Sequence, residues 1–526
     1  MRYPTKWQSS HLGWIMPLAV SLLLKGFLSL QDVVLNSDGV VYLEAARMIA
    51  EGHFSQSLLL YPMPAYPLLI AAAHLIVPDW ILSAKLINVI AAAAITLPVY
   101  WLTQLLFDRR AAFYAALAVA LLPKLNDMAP DVIRDPCFLL LACGSVAWMV
   151  EAFAMKRIRG VLGAFALAGA ALLFRIEAIS LFMVYLLYLA GVALVAKEQR
   201  RFARKALLVV LIPALLGMVG LVGVGATSGG ADRVDQLQAF GRSILDGRFF
   251  SRYQDIYAHL KDSERLSPGT SGELFKLARH YLPLLCLVGM LEAFFKGLFW
   301  PNAVLLWIAR RRVSTGGMPL VLLTIIIHSL LVLIYFLRID YLSSRYLLFC
   351  ALLTLPLVGQ GAVLLEGKAQ RVTWRKTALA LIVFVFVAFP LYRSVVQGFG
   401  EDRAIAMTGR WLSHESELRR VPWAVNDLRY YIYAGKPLDL QKEEEGAIKV
   451  ARYQIEKNYR ALEKLARDGG KDVIILRRRR KDPSGTVHFA TFHKVKAIES
   501  SQSIITVYAR NGLFPKEAGA HGEYSD

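Results

Sequence analysis

HLGWIMPLAVSLLLKGFLSL, residues 11–30, is followed within a few residues by NSDGVVYLEAARMIAEG, residues 36–52. The first stretch has about the 20 apolar residues that cross a bilayer as one helix. It is too long for a signal-peptide core and no Ala-x-Ala-type site follows, so it reads as an uncleaved first span. The second stretch places Asp38 at the start of a short helix on the membrane surface, with Tyr42 one turn later. An aspartate there has two readings. It can cap the helix by accepting from free backbone N–H groups, or it can take a proton from a hydroxyl or amine arriving from the aqueous side.

The rest of the chain repeats the first pattern. Of 526 residues, 56% are hydrophobic, and many apolar runs reach or approach spanning length. The formal net charge of +20 would suit nucleic acid, but much of the basic charge lies in short loops between apolar runs. Nucleic-acid binding is therefore excluded. Cys137, Cys143, Cys286 and Cys350 all fall inside apolar segments, without zinc spacing or a disulfide framework.

Eleven spans are expected, near residues 11–30, 80–106, 111–123, 136–155, 160–174, 178–196, 206–226, 283–309, 318–337, 345–365 and 376–395. The loops between them alternate in charge. One set carries nineteen basic residues, including Arg109/Arg110, Lys197–Lys205 and Arg310–Arg312. The short loops of the other set hold only Arg47, Lys124, Arg134, Arg175, Arg338 and Arg345. The positive-inside rule then puts the N-terminus in the cytoplasm and the C-terminus outside. Spans 111–123 and 160–174 are short. Merging 160–196 would give a helix of roughly 55 Å, far too long. Short spans let the outer loops at 127–135 and 175–177 sink below the membrane surface, where non-helical backbone needs a protein-lined cavity.

The expected organisation is a polytopic α-helical domain over residues 1–395, with outer loops at 31–79 and 227–281. An extracytoplasmic α/β domain over 396–526 follows. In that last part, residues 422–435 read as a strand and a helix closed by glycine. Residues 453–467 read as a helix, and 473–476, 487–492 and 504–509 as strands.

Several polar groups interrupt the apolar runs on the outer side. Asp127, Asp131 and Asp135 recur every four residues, and a helix beginning near Pro130 would put Asp131 and Asp135 on one face beside Arg134. Such carboxylates could hold Mg²⁺ or Mn²⁺, fix an arginine, or simply complement a helix dipole. Arg175 and Glu177 sit between apolar runs, where charge is expensive. Arg175 suits either a lipid phosphate or a structural ion pair. Arg338, Asp340, Arg345 and Tyr346 pose the same choice. Lys25 is expected to snorkel, and His328 to make a core or interhelical hydrogen bond. No P-loop, Rossmann glycine pattern, zincin motif or Gly-x-Ser-x-Gly elbow is present.

Ser37-Asp38 with Tyr42 and Ala46, Pro64-Ala-Tyr-Pro67, Arg134-Asp135-Pro136, Phe174-Arg175-x-Glu177 and Arg345-Tyr346-Leu-Leu occur in that order. Together they resemble the GT-C superfamily of polytopic glycosyltransferases. The branch with protein O-mannosyltransferases, lipid A aminoarabinose transferases and galacturonic acid transferases is the most similar. Many relatives carry Asp-Glu where this chain has Asp38-Gly39, and a Pro-Pro step is here Pro62-Met-Pro64. The resemblance implies an inner-membrane, cell-envelope enzyme that takes a sugar from a polyprenyl-phosphate donor and inverts it. The acceptor would be a lipid, glycan or protein. It implies Asp38 as general base and Asp135, with Asp131, as the second carboxylate or the ligands of a divalent cation. Tyr42, Arg134, Arg175, Glu177, Arg345 and Tyr346 would bind substrate, with Arg175 and Arg345 on the leaving phosphate. An oligosaccharide ligase or polymerase would instead place its essential residues in 227–281, for instance Arg279 and His280. A transporter or flippase would need broken helices related by an internal repeat.

Overall fold

The computed structural model describes residues 12–31, 34–211, 251–267, 269–312, 316–339, 342–370, 374–396, 403–438, 440–442, 448–450, 459–480, 489–500 and 503–512. Among these, seven helices are long and apolar enough to cross a membrane. They are Gly13–Gln31, Trp80–Leu106, Asp135–Met155, Ile176–Val195, Met318–Leu337, Ser344–Ala369 and Lys376–Val396. Each coincides with an expected span. Expected spans 111–123 and 160–174 are shorter helices, Arg109–Ala120 and Ile158–Leu172. Expected span 283–309 is two helices, Leu282–Leu298 and Trp300–Ala309. They break at Phe299, whose φ of 68° is left-handed, and Pro301 starts the second without needing an N–H partner. Most of expected span 206–226 lies outside the described residues.

The chain forms two compact units. The first comprises Met1–Lys25, Ile90–Met128 and Arg134–Val396. Its hub is Ser344–Ala369, which packs against Arg109–Ala120, Leu282–Leu298 and Trp300–Ala309. Small residues make this possible. Arg109–Ala120 turns Ala111, Ala112, Ala115 and Ala116 inward. A methyl group on Gly359 would lie 2.2 Å from the Ala111 carbonyl oxygen, and one on Gly361 would lie 2.1 Å from that of Leu305. In lipid, where apolar burial offers no drive between helices, such close backbone approach supplies the packing energy.

Lys25 corrects its expected reading. It does not snorkel but is fully buried. Its Nζ donates to Ser21 Oγ at 2.9 Å, Asn126 Oδ1 at 2.9 Å and the Ala120 carbonyl at 3.3 Å. Asn126 in turn donates to Ser394 Oγ at 3.0 Å. Three neutral oxygens surround the ammonium, so the chain from Ala120 to the short helix Pro123–Asp127 has a polar reason to stay beside the first helix.

The second unit comprises Gly26–Val89, Ala129–Ile133 and Gln397–Asp526. It holds the helices Ser37–Ala50, Phe54–Leu60 and Ala65–His74. Among the described residues six strands follow: β1 (Trp423–Val425), β2 (Leu440–Lys442), β3 (Ile448–Val450), β4 (Val473–Arg479), β5 (Phe492–Glu499) and β6 (Ser503–Arg510). The main sheet has the order β1-β4-β6-β5, with β1 parallel to β4 and the other pairs antiparallel. The apolar run Val473–Leu476 forms the buried start of β4, and Ala466, Ile474, Leu476, Phe492 and Tyr508 share one core. Strand β1, the helix Arg429–Tyr433 and Gly435 at φ 63° stand where 422–435 predicts them. Of the strand expected at 487–492, residues 487 and 488 lie outside the described residues, and 489–491 are not strand. Strand β5 begins at Phe492, because its pairing with β6 runs from Phe492 opposite Arg510 to Glu499 opposite Ile504.

The buried ammonium gives a direct test of packing. Asn126→Leu removes an acceptor and leaves Lys25 under-satisfied, so it should lower unfolding stability by about 2–3 kcal/mol. Lys25→Met, which removes the charge itself, should cost less than Asn126→Leu in the same detergent melt.

Candidate functional site

In the first unit the polar residues converge on Arg175. The helix Ile158–Leu172 ends just before it, and the backbone re-enters helix at Ile176–Ala178. Arg175 is buried, with Nη1 on Asp135 Oδ1 and Nη2 on Glu177 Oε1. Its guanidinium lies 4.9 Å from the Tyr346 ring and 5.7 Å from the Phe138 ring. Phe138 is one turn beyond Asp135 on the same helix, so one helix supplies both a carboxylate and a ring face. A further shell holds this group. Ser180 Oγ donates to the Glu177 carbonyl at 2.8 Å and lies 2.9 Å from His328 Nδ1. His328 Nε2 faces the Tyr346 carbonyl at 3.3 Å. His328 is therefore the interhelical hydrogen-bonding residue that its mid-span position suggests.

Two carboxylates on one guanidinium decide what Arg175 can do. The ion pairs occupy both Nη nitrogens, and the local charge of the trio is negative rather than positive. Its geometry matches the structural-pair reading, while the buried Nε has no hydrogen-bond partner among the described residues. Arg134 is half-buried at the residue before the helix start, and Arg345 is half-buried in the first turn of Ser344–Ala369.

In the second unit, Asp38 lies in the first turn of Ser37–Ala50 and is exposed. It is not the cap: Asn36 occupies that position with extended backbone. The Asn36 carboxamide serves another purpose. Its Oδ1 accepts from Val132 N at 2.7 Å and its Nδ2 donates to the Val132 carbonyl at 3.3 Å, as a second peptide would. Gly39 is required by this clasp. A methyl group there would meet Leu35 Cδ1 at 2.8 Å and both Asn36 Oδ1 and Val132 Cβ at 2.9 Å. The departure from Asp-Glu thus has a steric cause in this chain. Tyr42 is buried edge-on to Tyr61 and Tyr66, at 4.9 Å and 5.3 Å. Tyr66 Oη donates to Asn88 Oδ1 at 2.8 Å, and Asn88 donates to the Asp131 carbonyl. Glu44, the other acid of this helix, is buried beside Arg47 at 3.6 Å. Burial pushes its carboxyl above the usual carboxylate range, against the pull of Arg47. Of the two acids, Asp38 is the accessible one.

The proposed helix through Asp131 does not form. Helix begins only at Asp135, where Pro136 favours a start, and residues 128–134 are non-helical. Asp131 and Asp135 therefore share no helix face. Asp135 already engages Arg175, and no group of three or more His, Cys, Asp or Glu side chains suited to a metal occurs among the described residues. Arg279, named for the ligase reading, donates to Glu264 Oε2 at 3.1 Å and Tyr257 Oη at 2.9 Å. Asp340 falls outside the described residues, as does the side chain of Arg338. Asn36 and Phe138 were missed from sequence. An asparagine before a helix looks like a cap, and a phenylalanine in a span looks like core.

The family model described as dolichyl-phosphate-mannose-protein mannosyltransferase matches residues 61–221, under a third of the chain. No curated protein matches by sequence. Solved structures match far more of the chain. The Archaeoglobus fulgidus oligosaccharyltransferase tethered with an acceptor peptide superposes with a TM-score of 0.55 at 14% identity, over 89% of this chain and 69% of that one. The same enzyme in complex with Zn and sulfate gives 0.54 at 13% identity, over 88% and 67%. ArnT from Cupriavidus metallidurans bound to undecaprenyl phosphate gives 0.53 at 14% identity, over 97% and 100%.

The Arg175 trio predicts strong coupling. Arg175→Met should destabilise the protein by about 3–5 kcal/mol, because it strands two buried carboxylates. Adding Asp135→Asn and Glu177→Gln should recover most of that loss in thermal melts, a non-additivity that independent residues would not show.

Proposed function

We propose that this chain, which has the fold of GT-C membrane glycosyltransferases, moves a sugar from a polyprenyl-phosphate carrier to a lipid, glycan or protein acceptor. The reaction takes place on the outer face of the cytoplasmic membrane. The observation that carries this reading is an accessible Asp38, in a helix start clasped by Asn36, on a fold shared with a protein solved with undecaprenyl phosphate. The charge alternation of the loops supports an outward-facing site, a cytoplasmic N-terminus and an extracytoplasmic region after residue 395.

In this reading the Asp38 carboxylate takes the proton of the acceptor hydroxyl as its oxygen bonds to the anomeric carbon. The bond from that carbon to the phosphate oxygen breaks on the opposite face, and the electron pair leaves with the polyprenyl phosphate. Attack from the far side inverts the anomeric centre. Arg345 is the cation assigned to the departing phosphate, in the first turn of a helix whose dipole also favours an anion. Arg175 is assigned a different task from the one the resemblance implies. Its charge is already spent on Asp135 and Glu177, so it holds Asp135 in place to orient the acceptor. Arg134 and Tyr346 flank this group, and Tyr42 lies one turn after Asp38 on the same helix. No step is routed through a metal, because Asp135 is committed to a guanidinium.

Asp38→Asn should abolish consumption of carrier-bound sugar in membranes charged with the cell's own polyprenyl-linked sugars. Affinity for undecaprenyl phosphate should stay within about twofold. A fully active variant would remove Asp38 from the mechanism. In the same membranes, EDTA should leave transfer intact. Loss on chelation with recovery on Mn²⁺ or Mg²⁺ would restore Asp131 and Asp135 as metal ligands.

A further inference from the structure

Leu35 lies between the first span, which ends at Gln31, and the Ser37–Ala50 helix, so no helix of its own satisfies its backbone. It is also fully buried, where an unpaired peptide group is costly. Its partners come from nearly four hundred residues away, within the same compact unit. Leu35 N donates to Tyr433 Oη at 2.7 Å, and the Leu35 carbonyl accepts from Arg429 Nη1 at 3.2 Å. Neither side chain is loosely held. Arg429 is buried, and its Nε and Nη2 donate to the two oxygens of Asp427 at 2.9 Å and 2.7 Å. Asp427 is also 3.5 Å from Arg477 in β4. Tyr433 is fixed by close approach of the Arg403–His414 helix, where a methyl group on Gly409 would stand 2.4 Å from Tyr433 Cβ. Leu35 is thus gripped on both peptide groups, its neighbour Asn36 clasps Val132, and Asp38 follows two residues later.

From this geometry we infer that Arg429 and Tyr433 are positioning residues for the transfer reaction: they fix the backbone at Leu35 and so set where the Asp38 carboxylate stands. The C-terminal region then contributes to the chemical step through the helix start, whatever else it does for the acceptor. The inference rests on the assignment of Asp38 as base. A shift of an ångström in such a group is enough to cost about a hundredfold in rate.

The test uses the full chain in lipid nanodiscs, with hydrogen exchange, undecaprenyl phosphate binding and consumption of carrier-bound sugar as readouts. Tyr433→Phe removes one oxygen and keeps the ring. It should raise amide exchange at Leu35 at least tenfold and lower turnover about ten- to a hundredfold. Melting temperature and undecaprenyl phosphate affinity should hold. Arg429→Lys, which keeps a donor for the Leu35 carbonyl, should retain more turnover than Arg429→Met. That pair decides the matter if Tyr433→Phe melts early. In an Asp38→Asn background, Tyr433→Phe should add no further loss. Wild-type turnover in Tyr433→Phe despite faster exchange, or equal loss in the two Arg429 variants, would overturn the positioning role. Either result leaves the base assignment standing. An active Asp38→Asn would overturn the base assignment, and the positioning role with it.

Discussion

Arg175 sits out of water with a carboxylate on each Nη nitrogen and an aromatic ring on either hand. Three separate membrane-length helices supply those partners: Asp135 and Phe138 from one, Glu177 from a second and Tyr346 from a third. A charge cannot be buried there unless all of them are in place, because desolvation is recovered only through close, hydrogen-bonded pairing. The trio therefore fixes the mutual register of helices that lipid-facing leucines would let slide. It also fixes one carboxylate, Asp135, at the start of its helix. The Ser180–His328 pair extends the same constraint to a fourth helix.

Much of this was legible in the sequence because lipid imposes simple rules. Apolar length marks the long helices, and the positions of Arg175, Glu177 and Tyr346 stand out as charge or polarity where it is costly. Short helices were harder. Arg109–Ala120 looks like a weak span, yet its alanine face is built for contact with the Gly359–Gly361 stretch. Periodicity cannot reveal that pairing. The aspartate repeat at 127, 131 and 135 misled for a related reason. A spacing of four suggests one helix face, but Pro136 and the Asn36 clasp on Val132 hold residues 128–134 out of helix. Lys25 misled because snorkelling is the usual fate of a lysine near a span end. Here Asn126, a hundred residues away, offers an oxygen instead.

The pairing of Leu35 with Arg429 and Tyr433, nearly four hundred residues apart, was the least legible. Arg429 and Tyr433 lie in a small polar segment that reads as a strand and helix of an appended domain. Nothing in their spacing points to Leu35. The compact unit that unites residues 26–89 with 397–526 supplies the explanation. Buried, non-helical backbone before Asp38 needs donors and acceptors, and the late part of the chain provides them. Gly39 completes the same arrangement by leaving room for Asn36 and Val132. Asp38 is thus an exposed carboxylate on a tightly held backbone, and the proposed base role draws on both.

The account stands on transfer from a polyprenyl-phosphate-linked sugar. Mass spectrometry of the lipid extract from cells lacking this protein addresses it most directly. Carrier-bound sugar should accumulate in those cells, fall to the normal level when the wild-type chain is restored, and stay high when the Asp38→Asn chain is supplied. An unchanged pool of polyprenyl-linked sugars in the deletion would contradict the account.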